Sequence, residues 1–360
     1  VLERLGDGAA SCRARAGRAR RALRERLSVR TPDEELNAVL AWAAHTLDAD
    51  RIHGMLRVRG PGTACRAALA ALACGERGPA RRLLRATGFL DAAGSPGLVL
   101  AVGYLAWTGD PTPIKDVWPD ILRAARTLLA PALGPDSGSP DPGERAEAHS
   151  RTAAVLEALE ATAESLGDGP SAAELRALRV DVAGRWVAGP PASAGPTAPE
   201  DTQREPTDLS APEDTQREPT DLSALASRAV LDLVEHVLGA EPDAMRHRLR
   251  LAPCLPDGWR RLDVERLAVG DAAVALRVEV EAEDETGVSV RLELEQTSGA
   301  IPLTAALEPR VPGTELREVN VDGHAARLEP VREGRFVVAP FQVVLDHARH
   351  ILLRATGDVG

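Results

Sequence analysis

The run Leu98-Val99-Leu100-Ala101-Val102-Gly103-Tyr104-Leu105-Ala106-Trp107 carries apolar groups on every side of a helix. A helix of that kind is predicted to be buried all round. Its neighbours read differently. Helices are expected at about 63–75, 78–87, 113–131, 145–166, 171–187 and 224–239, and the one at 145–166 is apolar on one face only. Upstream, Thr31 can cap a helix, Pro32 suits its first turn and Glu34 completes a capping box, with Leu36, Val39, Leu40, Ala43 and Leu47 along one face. Ser95-Pro96 and Ser171…Glu174 mark two further starts, and Gly75 reads as a stop. Fully buried helices alternating with half-exposed ones are what two concentric helical layers require.

After about residue 250 the apolar period changes from helical to two. Val274, Leu276, Val278 and Val280 alternate with Ala275, Arg277 and Glu279, and Val288, Val290, Leu292 and Leu294 alternate with Ser289, Arg291, Glu293 and Glu295. Turn pairs fall between such runs at Gly270-Asp271, Thr286-Gly287, Ser298-Gly299, Asp322-Gly323 and Glu333-Gly334. With Phe336–Val338, Val343–Leu345 and Ile351–Leu353 closing the series, the segment reads as an antiparallel β-sandwich.

Between the two lies a stretch of a third kind. Residues 198–210, Ala-Pro-Glu-Asp-Thr-Gln-Arg-Glu-Pro-Thr-Asp-Leu-Ser, recur unchanged as 211–223. A unit this short cannot stack into a solenoid, and its composition buries too little apolar surface to offset its ordering entropy. It reads as a spacer. The expected organisation is therefore an Arg-rich connecting helix over 1–30, a helical domain over 31–187, a linker over 188–223, one last helix over 224–247 and a sandwich over 248–357.

The net charge of −11, from 54 acids against 43 bases, argues against broad binding to nucleic acid or anionic membranes. The first thirty residues hold nine arginines and three acids, yet one basic helix does not offset an acidic body, so it reads as a solvated connector. No apolar run reaches the ~20 residues of a membrane helix. Cys12, Cys65, Cys74 and Cys254 are scattered without a CxxC pair, so neither a disulfide scaffold nor zinc is indicated. No cofactor is called for, and a soluble, cytoplasmic chain is expected. With five Trp, three Phe and Tyr104 as the only tyrosine, any stacking site must be sparse.

General catalytic motifs are weak. Arg59-Gly60-Pro61-Gly62 starts like a phosphate loop, but Cys65 stands where its last glycine belongs. His347 and His350 beside Asp346 offer metal-binding groups, although the segment also reads as a polar strand edge, the preferred reading. His45, His149 and His236 lie within expected helices and read as structural.

Several phrases in order resemble the six-hairpin glycoside hydrolases of glucoamylase-like and glycogen-debranching type. Tyr104-Leu105-Ala106-Trp107-Thr108-Gly109-Asp110 with Val117-Trp118-Pro119 is similar to that superfamily's Y-x-x-W-T-G-D…W-P hairpin. Ala67–Glu76 with Ala80–Leu84 resembles the helix pair before it, and Glu147–Leu156 with Ala163–Asp168 and Ala173–Leu178 resembles the hairpin after the catalytic base. Leu249–Trp259 is similar to the crossing from toroid to sandwich. The resemblance implies an α+β chain, an incomplete (α/α) toroid of helical hairpins followed by a C-terminal antiparallel β-sandwich. It also implies inverting acid/base hydrolysis of an α-glucan or related oligosaccharide, with the two carboxyl groups roughly 6.5–9.5 Å apart.

On that resemblance Glu147 matches the base by spacing, and Asp136 or Asp141, in a contracted loop, are candidates for the acid. Trp107, Trp118 and Asp110 are candidates for substrate contact. Each has a plainer reading: Glu147 near a helix start favours the dipole, Asp110 caps the next helix, the tryptophans are core, and the loop aspartates form turns. Departures accompany the matches. The family's W-F-G-R-D loop corresponds to Gly60-Pro61-Gly62-Thr63-Ala64, so Ala64 replaces its aspartate, and Thr152-Ala153 replaces a Trp-Tyr pair. The sequence thus supports a glycoside hydrolase by ancestry, in which loss of catalysis is favoured. The alternatives are a non-catalytic carbohydrate-binding or protein-interaction scaffold and a decayed product without activity.

Overall fold

A computed structural model describes residues 27–49, 51–52, 55–56, 60–132, 142–188, 222–284 and 287–356. Within these, helices come first and sheets second, an α+β order. The chain divides into two compact units, one of residues 1–121 with 223–360 and the other of 122–222.

In the first unit the strand β1 (Ser28–Arg30) precedes α1 (Glu34–Ala49), the short pair β2 (Arg51–Ile52) and β3 (Met55–Leu56), then α2 (Pro61–Ala73), α3 (Gly78–Arg85), α4 (Phe89–Ala93) and α5 (Ser95–Thr108). α6 (Thr112–Ala132) begins in this unit and runs into the second. Helix starts use acids where hydroxyls were expected. Asp33 Oδ1, not Thr31, accepts the Leu36 N–H at 3.0 Å, while Thr31 Oγ1 accepts from Asp33 N at 3.1 Å. Thr31 and Asp33 are both cap types two residues apart, and the carboxylate nearer the helix takes the free donors. Gly75 does follow the end of α2, with a left-handed φ of 83°.

The expectation that α5 is buried all round needs correction. Leu98, Leu100, Ala101, Tyr104 and Leu105 are buried, but Val99 is 38% exposed and Val102, Gly103 and Ala106 are half-buried. These four lie at i, i+3, i+4 and i+7, one strip of the helix that no neighbour fully covers. α2 comes closer to full burial, through Ala64, Ala67, Ala68, Ala70, Ala71 and Ala73. Small side chains allow close approach: a Cβ on Gly103 would stand 2.5 Å from Leu69 Cδ2 of α2.

The sheets complete this unit after α9 (Leu222–Asp232), whose continuation widens into a π-turn at Leu233–Val237. Strands β4 (Glu241–Asp243) and β5 (Arg248–Leu251) pair with each other, so strand structure begins before residue 248. β6 (Arg261–Val269), β7 (Ala272–Asp284) and β8 (Gly287–Ser298) form successive antiparallel hairpins. They join β16 (Arg349–Thr356), β11 (Glu315–Val321) and β12 (His324–Ala325) in a seven-stranded sheet, order β1-β6-β7-β8-β16-β11-β12. Two smaller sheets are β15-β9-β5-β4, with β9 (Thr304–Leu307) and β15 (Phe341–Val344), and β10-β14-β13, with β10 (Arg310–Pro312), β13 (Val331–Glu333) and β14 (Phe336–Val338).

The alternation read from the sequence holds. Val278 and Leu292 lie opposite each other facing inward, while Arg277 opposite Glu293 and Glu279 opposite Arg291 set unlike charges side by side outside. One pair departs from the antiparallel pattern: β5 and β9 run parallel, Arg248 opposite Thr304 through Leu251 opposite Leu307. β9 is reached by crossing from the large sheet and not by a hairpin, so nothing reverses its direction relative to β5. One apolar cluster joins Ala67 and Ala70 of α2, Val230 of α9, and Leu249, Leu262, Val274 and Leu353 of the sheets.

The second unit contains the hairpin of α7 (Pro142–Leu166) and α8 (Gly169–Ala188). Leu156, Leu159, Ala163 and Leu175 are buried between them. Asp168 Oδ1, not Ser171, caps α8 by accepting Ser171 N at 3.1 Å, which leaves Glu174 to pair with Arg126 at 2.6 Å. Buried Glu160 accepts from Arg176 at 2.6 Å and Arg179 at 3.2 Å. The duplicated 198–223 segment, up to residue 221, and the basic stretch 1–26 lie outside the described residues.

Candidate functional site

The Tyr104–Asp110 phrase forms the joint between α5 and α6. Gly109 ends α5 with φ 64°, its N–H returning to Leu105 O at 2.8 Å, and a Cβ there would meet the Ala244 carbonyl carbon at 3.2 Å. The chain then turns so that Asp110 Oδ1 accepts Thr112 N at 3.0 Å and caps α6. Asp110 Oδ2 accepts from the Tyr104 hydroxyl at 3.2 Å, and Thr108 Oγ1 bridges Tyr104 O and Asp110 N.

Burial, the Asp110 charge and the hydrogen bond to it raise the Tyr104 pKa above the usual phenol range. Burial works against the Asp110 carboxylate, but the Thr112 donors, the Tyr104 hydroxyl and the Arg81 charge outweigh it and lower its pKa. The pair therefore holds one proton on the phenol and one charge on the carboxylate.

Trp118 is buried on α6, and Trp107 is half-buried on α5 against the apolar cluster, its carbonyl accepting Gly270 N at 2.8 Å. Glu147 lies in the second turn of α7, which begins at Pro142, three residues earlier than expected, so the dipole argument for it weakens. Its side chain, like Asp136 and Asp141 entirely, lies outside the described residues. At the position matched to the family's aspartate, Ala64 presents a buried methyl in the first turn of α2, with its N–H on Gly60 O at 3.1 Å.

One polar grouping escaped the sequence reading, and a second was legible only in part, through His347 beside Asp346. A cavity of about 280 Å³ lies among Arg85, Asp91, Asp116 and Asp120, with Arg85 Nη2 on Asp116 Oδ2 at 2.8 Å. The i, i+4 spacing of Asp116 and Asp120 was legible, but Asp91 joins them only through the fold. Beside β16, Arg349 donates to Asp322 at 2.7 Å and to Asp346 at 2.6 Å, and His347 Nδ1 meets Asp346 at 2.8 Å. Among the described residues no three metal-ligating side chains gather in one place, and no helix is long and apolar enough to cross a membrane.

No protein-family model and no curated protein matches the chain. Among solved structures it is similar to an alpha-L-rhamnosidase from Dictyoglumus thermophilum, with a TM-score of 0.57 at 10% identity. It is also similar to an alpha-L-rhamnosidase from Aspergillus terreus, with a TM-score of 0.52 at 10% identity. Each alignment covers 91% of this chain and 50% of the other, so the chain spans half the length of these glycosidases. At such identity the likeness is one of fold.

Proposed function

We propose that the chain is a carbohydrate-active protein of glycoside hydrolase type that binds an oligosaccharide and does not turn it over. The fold likeness to two alpha-L-rhamnosidases along 91% of the chain carries the carbohydrate reading. It makes an α-L-rhamnoside a substrate class to set beside the α-glucan drawn from the sequence. The buried methyl of Ala64, where the resemblance calls for a substrate-holding acid, favours binding without catalysis.

The hydrolytic reading assigns definite roles. Glu147 would take a proton from water on one face of the sugar, and Asp136 or Asp141 would protonate the leaving oxygen on the other. Trp107, Trp118 and Asp110 would contact the sugar only through a rearrangement that frees them from packing and capping.

The test is a panel of aryl α-L-rhamnosides and α-glucan oligosaccharides, followed for both released sugar and heat of binding. Binding without release is the expected result. Turnover that disappears in Glu147→Gln would overturn the non-catalytic reading and establish the hydrolytic one. A chain that neither binds nor cleaves any member of the panel would remove both.

A further inference from the structure

The sandwich is not filled throughout. Between the distal half of the β7–β8 hairpin and the segment 253–260 lies a cleft of about 230 Å³. Its floor is the inward row Val278, Val280, Val290 and Leu292, and Trp259 and Phe336 stand half-buried at its mouth. Trp259 is held there by a turn in which its N–H returns to Pro256 O at 3.1 Å. Protein interiors leave few voids larger than a water molecule, and one water occupies about 30 Å³. Waters lying against the valine and leucine floor find no hydrogen bonds there, so an apolar body displaces them favourably.

The rim is basic. Arg260, Arg310 and Arg335 all line the mouth. Arg335 pairs with Asp257 at 2.7 Å and lies 5.0 Å over the Phe336 ring, and Arg310 pairs with Glu333 at 3.3 Å. Arg260 is exposed and makes no ion pair among the described residues. One cation at the edge of an apolar cleft selects a ligand with one anionic end. A sugar fits poorly, since its hydroxyls would be stripped of water against the floor without replacement partners.

We propose that this cleft binds a small amphipathic anion, an apolar body about the size of an eight-carbon chain bearing a single carboxylate, with the body on the Val278–Val290 floor and the charge at Arg260. The site is distinct from the carbohydrate reading and stands without it. Calorimetric titration of the full chain with octanoate, octanol, octylamine and maltose tests it. Octanoate is expected to bind at one site, octanol about two- to fivefold more weakly, as loss of one exposed ion pair implies, and octylamine more weakly still.

Val280→Trp, which fills the cleft from its floor, is expected to weaken octanoate by about tenfold or more through lost apolar burial. Arg260→Glu, an exposed change that leaves the core intact, is expected to reverse the preference between octanoate and octylamine. Octanoate binding indifferent to Arg260→Glu, equal affinity for octylamine, no octanoate binding at all, or maltose competing for the same site would each overturn the proposal. Should Val280→Trp fail to fold, the Arg260→Glu comparison decides alone.

Discussion

The single tyrosine of the chain, Tyr104, donates its hydroxyl to the carboxylate of Asp110, 3.2 Å away, across the turn that joins two helices. Tyr104 lies about one turn before the end of α5 and Asp110 two residues before the start of α6, so their bond ties the two sides of the joint together. Because no second tyrosine absorbs, ultraviolet titration reads this group by itself. Its midpoint is expected above the ordinary value of about 10. Asp110→Asn removes the charge and should bring the midpoint down, though not to the free value, because burial is the larger cause. A phenol whose folded pKa is raised adds stability that is fully present below the unfolded pKa and fades as pH climbs through the folded one. Tyr104→Phe should cost about 1 kcal/mol by urea unfolding at neutral pH.

Gly109→Ala tests the same joint from the backbone. The residue has φ 64°, and a Cβ would press on the Ala244 carbonyl carbon at 3.2 Å. A left-handed conformation costs an L residue roughly 1–2 kcal/mol before any crowding is counted. The expected loss is at least that large, seen as a lower urea midpoint.

Within the second unit, Leu159 is 1% exposed on α7. Leu159→Ala is expected to lose roughly 2–5 kcal/mol, the range for emptying a buried leucine site. Hydrogen exchange of the α7 and α8 amides is the measurement. Protection unchanged from the parent chain would show that this hairpin is not held by its apolar seam.

The turn between β11 and β12 should contribute to acid sensitivity. Burial opposes the Asp322 carboxylate, but the His350 N–H at 2.8 Å and the Arg349 guanidinium at 2.7 Å prevail and lower its pKa. A depressed carboxyl contributes stability above its unfolded pKa, about 3.9, and loses it as pH falls through the folded value. Asp322→Asn keeps a residue tolerant of the left-handed φ of 52° at this position. It should reduce the difference in urea midpoint between pH 6 and pH 3; an identical difference in both proteins would contradict the assignment.

Local patterns carried much of this fold into the sequence. Val274 to Val280 announced a strand because alternation is a property of the strand itself, and the helices expected from residue 31 onward start within three residues of their predicted places, while the short α4 (Phe89–Ala93) was not foreseen. What escaped depended on partners far along the chain. Val99 looks as apolar as Leu98, and only the absence of a covering neighbour among the described residues exposes it. The parallel pairing of β5 with β9 joins residues more than fifty apart. The phrase around Trp259 was visible as a crossing, but the cleft it covers is walled by β7, β8, β10 and β14, which no local pattern connects to it. Of the candidate site, the chemistry of each residue type was legible and the joint at Asp110 was correctly read as a cap. Ala64 was read by resemblance as a lost carboxylate, and its burial is what the coordinates add.

The seating of β16 between β8 and β11 bears on how the molecule comes into being. Arg349–Thr356 is an interior stave of the large sheet, hydrogen-bonded on both sides. During synthesis the ribosome must translate past Thr356 before the hairpins already emitted can be knitted to β11, so this half of the molecule assembles after translation of its own strands is finished. A premature stop codon between Ala325 and Arg349 would release a polypeptide in which β8 and β11 each keep a raw edge, matter for chaperones and proteases.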